Sequence, residues 1–149
     1  MTNIETIVYI KEPLENQIEV FRFLAEKAVE HGFATEKEAV FQALTSREQE
    51  GTTGMMDGFA IPHGKHETFN QPAIVIVTLP RGVEWESMDG QPIDFVLSMM
   101  IPEAEKGEGH LKILSQVARM LMKEKVKTEL KEAGSSDEVK KILDEQITI

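Results

Sequence analysis

The chain has 149 residues, of which 41% are hydrophobic and 28% charged, and these values predict one globular domain over residues 1–149. The 26 acidic residues outnumber the 16 basic ones and give a formal net charge of −10, which disfavours binding to the phosphate backbone of a nucleic acid. The chain has no cysteine, which excludes disulfides, zinc–thiolate sites and a cysteine nucleophile.

The beginning of the chain gives no targeting signal. It lacks the basic start and the apolar core of a signal peptide. No run of about 18 apolar residues is present that could span a membrane. We therefore expect a soluble, cytoplasmic protein that is not embedded in a membrane.

The first predicted element is a β-strand over Ile7–Ile10. A helix follows, and we expect it to begin at an N-terminal box of Asn16 and Glu19 and to end at Gly32. Its apolar residues recur at steps of three and four, which predicts one buried stripe. The residues of this stripe are Ile18, Phe21, Leu24, Ala25, Ala28 and Val29.

A second helix is predicted to open at a capping box of Thr35 and Glu38 and to continue to Arg47. Its inward-facing residues are predicted to be Ala39, Val40, Ala43 and Leu44. The glycines of the segments Gly51–Gly54 and Asp57–Gly58 then prevent any helix and indicate a loop.

Two continuous apolar runs predict buried central strands. The first covers Ala73–Leu79 and is expected to end at Pro80, and the second covers Ile93–Ile101 and is expected to stop at Pro102. Such runs lack the alternation of polar and apolar residues that is typical of a strand with one face in water.

The rest of the chain shows the periodicity of three helices. The apolar positions that define them are Leu111, Leu114, Val117, Ala118 and Leu121, then Val126 and Leu130, then Val139, Ile142 and Leu143 after a cap at Ser135–Glu138. Helices before and after a strand-rich middle predict an α/β fold, a layered domain with a mixed central β-sheet flanked by helices.

His63 is a candidate catalytic residue because its surroundings are rigid and apolar. Pro62 fixes the backbone before it, Gly58 and Gly64 allow close approach of other groups, and the preceding Phe59–Ile61 is apolar. A neutral imidazole on a rigid mount is a competent nucleophile near pH 7. From these features alone, a catalytic histidine and a buried structural histidine are both open.

Other basic residues allow weaker interpretations. His110 opens a predicted helix, where it is either a hydrogen-bond donor to a phosphate or an ordinary residue of an exposed first turn. Arg47 is either a fixed positive charge beside the glycine loop or a common helix-terminal charge. His31 precedes the helix-ending Gly32 and is interpreted as structural.

The sequence does not match the motif of a Walker phosphate-binding loop or the ligand pattern of a metal site. The segment from Gly58 to Lys65 is one residue too long for a phosphate-binding Walker loop, and His66 stands where that motif needs Ser or Thr. His63 and His66 could ligate a metal, but they lie on either side of a glycine turn, and no third ligand is indicated nearby. We therefore expect no metal and no cofactor.

The segment Gly58–Gly64 resembles the active-site signature of the fructose/mannitol-type (type 2) enzyme IIA domains of the bacterial phosphoenolpyruvate-dependent sugar phosphotransferase system. Further pieces stand in the family's order, and the similarity runs over roughly residues 5 to 145. These pieces are Arg47-Glu48 with Thr53-Gly54, Trp85 with Asp89–Ile93, and His110-Leu111 with Leu114-Ser115.

The resemblance implies that His63 accepts a phosphoryl group from the phosphocarrier protein HPr and passes it to a cysteine of a sugar-specific enzyme IIB, in the service of a membrane enzyme IIC. It further implies that His110 is the second active-site histidine, that Arg47 balances the phosphate charge and that Thr53 lies near the phosphoryl group. No cofactor is needed for this chemistry. The absence of cysteine agrees with an acceptor thiol on another polypeptide.

Two alternatives remain beside sugar transport. Related stand-alone IIA domains act as regulators, in which phosphorylation of the residue equivalent to His63 controls binding to another protein. A less favoured alternative is a hydrolase that holds a metal between His63 and His66. The segment Met55–Asp57 departs from the smaller residues common in the family and leaves the sugar open among fructose, mannitol and galactitol-like polyols.

Overall fold

A computed structural model describes residues 4–104 and 109–147, except for the side chains of residues 109 and 110. The strands are β1 (Glu5–Tyr9), β2 (Phe59–Ala60), β3 (His63–His66), β4 (Ala73–Val83) and β5 (Ile93–Pro102). The helices are α1 (Gln17–Glu30), α2 (Lys37–Glu50), α3 (Gly109–Met120), α4 (Glu124–Glu132) and α5 (Ser136–Gln146).

The strands form one mixed sheet in the order β1-β4-β5-β2, and β3 also pairs with β5. Strand β1 runs parallel to β4, and β4 runs antiparallel to β5. Both short strands, β2 and β3, run parallel to β5, one after the other along its length. The predicted α/β layered domain with a mixed sheet is confirmed.

Each face of the sheet carries an apolar core. Successive side chains of a strand point to opposite faces, so the continuous apolar runs of β4 and β5 supply both cores. One core joins the sheet to α1 and α2 and includes Val20, Leu24, Val40, Leu44, Val75, Val96 and Met100. The other joins it to α3, α4 and α5 and includes Ile74, Ile76, Leu97, Val117, Leu130, Val139 and Leu143.

Helix α1 begins and ends at the residues that the sequence predicts. The side-chain oxygen of Asn16 accepts a hydrogen bond from the backbone N–H of Glu19 at 2.8 Å. Gly32 follows the helix with φ of +78°, a conformation that glycine adopts without steric cost. The predicted stripe is wrong at Ile18, which lies in the first turn and is 61% exposed.

Helix α2 forms as predicted, but its predicted capping box is wrong. The helix begins at Lys37, and Glu36 is its N-cap without a side-chain cap hydrogen bond. The Thr35 hydroxyl donates instead to the side-chain oxygen of Asn70 at 3.3 Å. The Thr68 hydroxyl accepts from the backbone N–H of Glu36 at 3.0 Å, so a tertiary contact replaces the local cap.

Three local expectations from the sequence are corrected. Strand β4 continues past Pro80 to Val83 through an irregularity in its register, where a residue without an N–H is tolerated. The segment around His63 forms the short strands β2 and β3 rather than a turn alone. Leu111 is 52% exposed, because the buried stripe of α3 is formed by Ile113, Val117 and Met120.

Within the ranges that the structure describes, no helix is both long enough and apolar enough to cross a membrane.

Gly54 makes a close backbone contact that positions the loop after α2. It forms isolated bridges to Ala60 and to Ser87. A Cβ atom at this position would lie 2.2 Å from the backbone carbonyl oxygen of Glu86. Since backbone atoms cannot move aside cheaply, this contact requires glycine.

We expect Gly54→Ala to lower the free energy of unfolding by about 1–3 kcal/mol, the usual cost of overpacking. Gly134→Ala is the matched control, because a Cβ there meets nothing within 4 Å, and it should change stability by less than about 0.5 kcal/mol. Urea unfolding followed by circular dichroism measures both. Equal stabilities of the two variants would contradict the close contact.

Candidate functional site

A cavity of about 520 Å³ opens along β3, between α2 and α3. From α2 it is lined by Arg47 and Glu50 among others, and from α3 by Leu111 and Leu114. Helix α2 comes close to β3 because Gly64 has no side chain, since a Cβ at that position would lie 3.3 Å from the Cβ of Ala43. The cavity is therefore formed where the edge of the sheet meets one helix from each layer.

His63 opens β3 and lies in this cavity, half-buried. The backbone that leads into it is held by two hydrogen bonds, because the N–H of Ile61 donates to the carbonyl of Thr53 at 3.0 Å and the N–H of Met99 donates to the carbonyl of Pro62 at 3.0 Å. The ring nitrogen Nδ1 lies 2.8 Å from the carbonyl oxygen of Ile61. The imidazole is thus oriented by the segment between β2 and β3.

Arg47, in the last turn of α2, contacts the other ring nitrogen. Its Nε–H donates to Nε2 of His63 at 3.2 Å, and its Nη1 donates to the carbonyl of Gly51 at 2.8 Å. These partners assign the tautomer, because a carbonyl only accepts hydrogen bonds and a guanidinium only donates them. Nδ1 therefore carries the proton, and Nε2 is unprotonated and accepts from Arg47 through its lone pair.

The surroundings keep His63 neutral. Burial lowers the pKa of its imidazole below the ordinary histidine value, and the positive charge of Arg47 lowers it further. The hydrogen bond to Ile61 and the negative charges of Glu48 and Glu50 raise the pKa, but the lowering effect of burial prevails. A neutral imidazole with a free lone pair is the nucleophilic form of histidine.

Further basic side chains line the same cavity. Lys65 is exposed, and His66 is half-buried with its Nδ1 accepting from the backbone N–H of Thr68 at 2.9 Å. Arg47 and Lys65 place positive charge near Nε2 of His63, and the ring of His66 adds a hydrogen-bonding group to the cavity. Such an arrangement is suited to an anionic group bound at Nε2.

The structure brings together His63 and Arg47, which lie 16 positions apart in the chain. Thr53, a predicted phosphoryl-binding residue, is 4% exposed, and its hydroxyl donates to the Glu48 carboxylate at 2.5 Å rather than facing the cavity. His110 is the second residue of α3, and its side chain lies outside the described residues.

Glu48 is a residue whose position the sequence did not reveal. Its carboxylate accepts hydrogen bonds from the backbone N–H of Thr53 at 3.0 Å, from the hydroxyl of Thr52 at 2.9 Å and from the indole N–H of Trp85 at 3.2 Å. In the sequence it is one of ten acidic residues in the first 50, and it stands in the Arg47-Glu48 piece of the family resemblance, but neither observation indicates its hydrogen-bond partners. The long separation from Trp85 hides the contact from any local pattern.

Two further expectations concern a structural role for His31 and the absence of a metal site. His31 contacts the phenolic oxygen of Tyr9 through Nε2 at 2.6 Å and stacks on Phe33, in agreement with a structural role. Over residues 4–104 and the described side chains of 109–147, no three His, Asp or Glu side chains converge as a metal site would require.

Fold and site together define a class: a small α/β domain that presents a neutral, nucleophilic imidazole beside a guanidinium at the edge of its sheet. A family model described as "Phosphoenolpyruvate-dependent sugar phosphotransferase system, EIIA 2" matches residues 1–146. The chain therefore belongs to this EIIA 2 family, whose members are components of that phosphotransferase system.

Two curated relatives carry different names. The fructose-specific EIIA component of the phosphotransferase system of Haloferax volcanii is 34% identical, over 99% of this chain and 98% of the relative. The nitrogen regulatory protein of Bradyrhizobium diazoefficiens is 38% identical, over 80% of this chain and 77% of the relative.

Two solved structures resemble this chain. The nitrogen regulatory protein IIA-Ntr from Neisseria meningitidis superposes with a TM-score of 0.84 at 28% identity, covering 92% of each chain. The mannitol enzyme IIA of Escherichia coli, solved in complex with phosphorylated enzyme IIB, superposes with a TM-score of 0.76 at 23% identity, covering 93% of this chain and 94% of the other. The latter likeness shows the fold.

We expect His63 to titrate below the ordinary histidine pKa of about 6.5, and Arg47→Gln to raise this pKa because a neighbouring positive charge is removed. Titration of the ring resonances by NMR measures both values. Arg22→Gln, an exposed position on α1, is the control and should leave the pKa of His63 unchanged. An unchanged pKa in Arg47→Gln would contradict the contact between the guanidinium and the ring.

Proposed function

We propose that this chain is a phosphocarrier whose His63 accepts a phosphoryl group at Nε2 from HPr and passes it to a cysteine of a sugar-specific enzyme IIB. The observation that supports this best is the hydrogen bond from Arg47 to Nε2 of His63, together with the bond between Nδ1 and Ile61. These contacts leave Nε2 unprotonated, with its lone pair accepting from the guanidinium of Arg47 at the cavity.

In the proposed step, the lone pair of Nε2 forms a bond to phosphorus while the bond from phosphorus to the donor breaks, and the donor atom keeps that electron pair. Phosphoryl transfer passes through a loose transition state with charge spread over the three equatorial oxygens. Arg47 would then exchange its contact with Nε2 for contacts with these oxygens and neutralise their charge. The protein's part is alignment and electrostatics, without a cofactor or a metal.

The proton on Nδ1 matters for the second transfer. While Nδ1 donates to the carbonyl of Ile61, the phosphorylated ring keeps that proton and bears positive charge. When the phosphoryl group is transferred, a ring protonated at Nδ1 departs as neutral imidazole, whereas an unprotonated ring would depart as an imidazolate anion. Neutral imidazole is the better leaving group, so the phosphoryl group stays transferable to the next acceptor. The same hydrogen bond that orients His63 therefore keeps the intermediate reactive.

The two further predicted site residues have different roles in this proposal. We assign to His110 the part of a second active-site histidine that hydrogen-bonds the phosphoryl group. Thr53 acts through its backbone, because its carbonyl accepts from Ile61 and its hydroxyl is bound to Glu48. A direct contact of Thr53 with phosphate would require that hydroxyl to leave the carboxylate.

The acceptor of the phosphoryl group is proposed to be a cysteine of an enzyme IIB, since this sequence contains no cysteine of its own. The mannitol enzyme IIA of Escherichia coli forms such a complex with enzyme IIB. Leu111, exposed at the cavity, offers an apolar contact beside His63 for the docking partner. The proposal includes a cytoplasmic location and service to a membrane enzyme IIC.

The regulatory alternative has support from the nitrogen regulatory relatives of Bradyrhizobium diazoefficiens and Neisseria meningitidis. In that case His63 is phosphorylated in the same way, but no enzyme IIB receives the group. The distinction therefore lies in the second transfer and not in the first.

Incubation with phosphoenolpyruvate, enzyme I and HPr should add one acid-labile phosphoryl group to His63, and His63→Ala should abolish the labelling. The physical reason is that the lone pair of Nε2 is the nucleophile. Intact-protein mass spectrometry measures the added group, and His31→Asn, at a distant structural histidine, is the control that should label normally. Full labelling of His63→Ala would contradict the assignment.

The rate of labelling of His63 should stay high below pH 6.5 and fall only as the imidazole becomes protonated at its lowered pKa.

Protein labelled in this way should transfer its phosphoryl group to at least one enzyme IIB from a panel that covers fructose, mannitol and galactitol systems. Labelling without transfer to any member of the panel would favour the regulatory alternative.

A further inference from the structure

We propose that Glu48 is a positioning residue for the phosphoryl transfer, and that its carboxylate sets the geometry at both ring nitrogens of His63. This inference rests on the proposed function of His63. Glu48 does not line the cavity, and no atom of it needs to touch the phosphoryl group. It would act through the segments that carry the two hydrogen-bonding partners of the ring.

The carboxylate of Glu48 joins three parts of the chain. It projects from the last turn of α2, and it accepts from Thr52 and Thr53 in the loop that follows. It also accepts from the indole N–H of Trp85, between β4 and β5. An ionised carboxylate is suited to this place because it accepts through both oxygens and has no proton to donate.

One line of contacts leads from Glu48 to Nδ1 of His63. The carboxylate holds Thr53 by its backbone N–H and by its hydroxyl, and the carbonyl of Thr53 accepts from the N–H of Ile61 at 3.0 Å. The carbonyl of Ile61 then accepts from Nδ1 at 2.8 Å. The position of this carbonyl fixes which ring nitrogen carries the proton.

A second line leads to Nε2. The loop residue Gly51 lies between Glu48 and the two threonines, and its N–H donates to the backbone carbonyl of Glu48 at 3.2 Å. Its own carbonyl accepts from Nη1 of Arg47 at 2.8 Å, while Nε of Arg47 reaches Nε2 of His63. The carboxylate closes this loop back onto α2 and so holds the carbonyl that orients the guanidinium.

Trp85 connects both lines to the core. Its side chain is buried, and its ring makes an edge-to-face contact with Phe21 of α1, with the ring centroids 5.5 Å apart. The bond from its indole N–H to Glu48 therefore ties the loop to a rigid part of the protein. Loss of this tie would let the partners of Nδ1 and Nε2 move independently.

The test uses Glu48→Gln, which keeps the size of the side chain but replaces one acceptor oxygen by an NH₂ group that only donates. Glu38→Gln, at an exposed carboxylate in the first turn of the same helix, is the matched control. Two quantities are measured: kcat and KM for phosphoryl transfer from phosphorylated HPr, and the ¹⁵N shifts of Nδ1 and Nε2, which report the tautomer.

We expect Glu48→Gln to lower kcat about tenfold or more with KM for HPr changed less than about twofold, because alignment is lost while the docking surface is kept. The ring shifts should move toward a mixture of the two tautomers, and Glu38→Gln should leave both quantities unchanged. Wild-type kcat together with wild-type ring shifts in Glu48→Gln would overturn the proposal. A lowered kcat with unchanged ring shifts would also overturn it.

Two milder variants keep the carboxylate and guard against misfolding of Glu48→Gln. Thr53→Val removes the hydroxyl donor, Trp85→Phe removes the indole donor, and each should shift the ring resonances in the direction expected for Glu48→Gln but by less. Unshifted resonances in both variants would overturn the proposal. The ring shifts are read without phosphoryl chemistry, so a wild-type protein that fails to accept phosphate from HPr would refute the proposed function separately.

Discussion

The close packing of α2 on β3 is the constraint on which the site depends. Gly64 faces Ala43 so closely that a Cβ would already be tight against it, and this approach brings the last turn of α2 over the start of β3. Arg47 then reaches His63 with a hydrogen bond of 3.2 Å. A wider separation of helix and strand would leave a guanidinium and an imidazole that do not meet.

That contact has an electrostatic consequence for the whole cavity. Burial and, to a smaller extent, the guanidinium of Arg47 lower the pKa of His63, which favours the neutral, nucleophilic imidazole. A chain with a net charge of −10 thus places two basic side chains, Arg47 and Lys65, at this cavity, together with the acidic Glu50.

The elements with strong local patterns were predictable. The capped helix after Asn16 and the apolar strands β4 and β5 follow from side-chain chemistry and periodicity, and the structure confirms them. The failures lie where a distant residue competes with a local rule. The Thr35 hydroxyl donates a hydrogen bond to Asn70 instead of capping α2. Leu111 is exposed at the cavity because α3 packs against the sheet through Ile113, Val117 and Met120.

The sequence by itself determined the family, through the signature around His63 and the spaced pieces that accompany it, since those residue types stand in a fixed order. It also determined the layered α/β fold, because hydrophobic periodicity is a local property. Only the tertiary structure decided which nitrogen of His63 carries the proton and which acidic residue bonds both the loop after α2 and Trp85. The physical reason is that both depend on hydrogen bonds between residues far apart in the chain, such as Arg47 with His63 and Glu48 with Trp85.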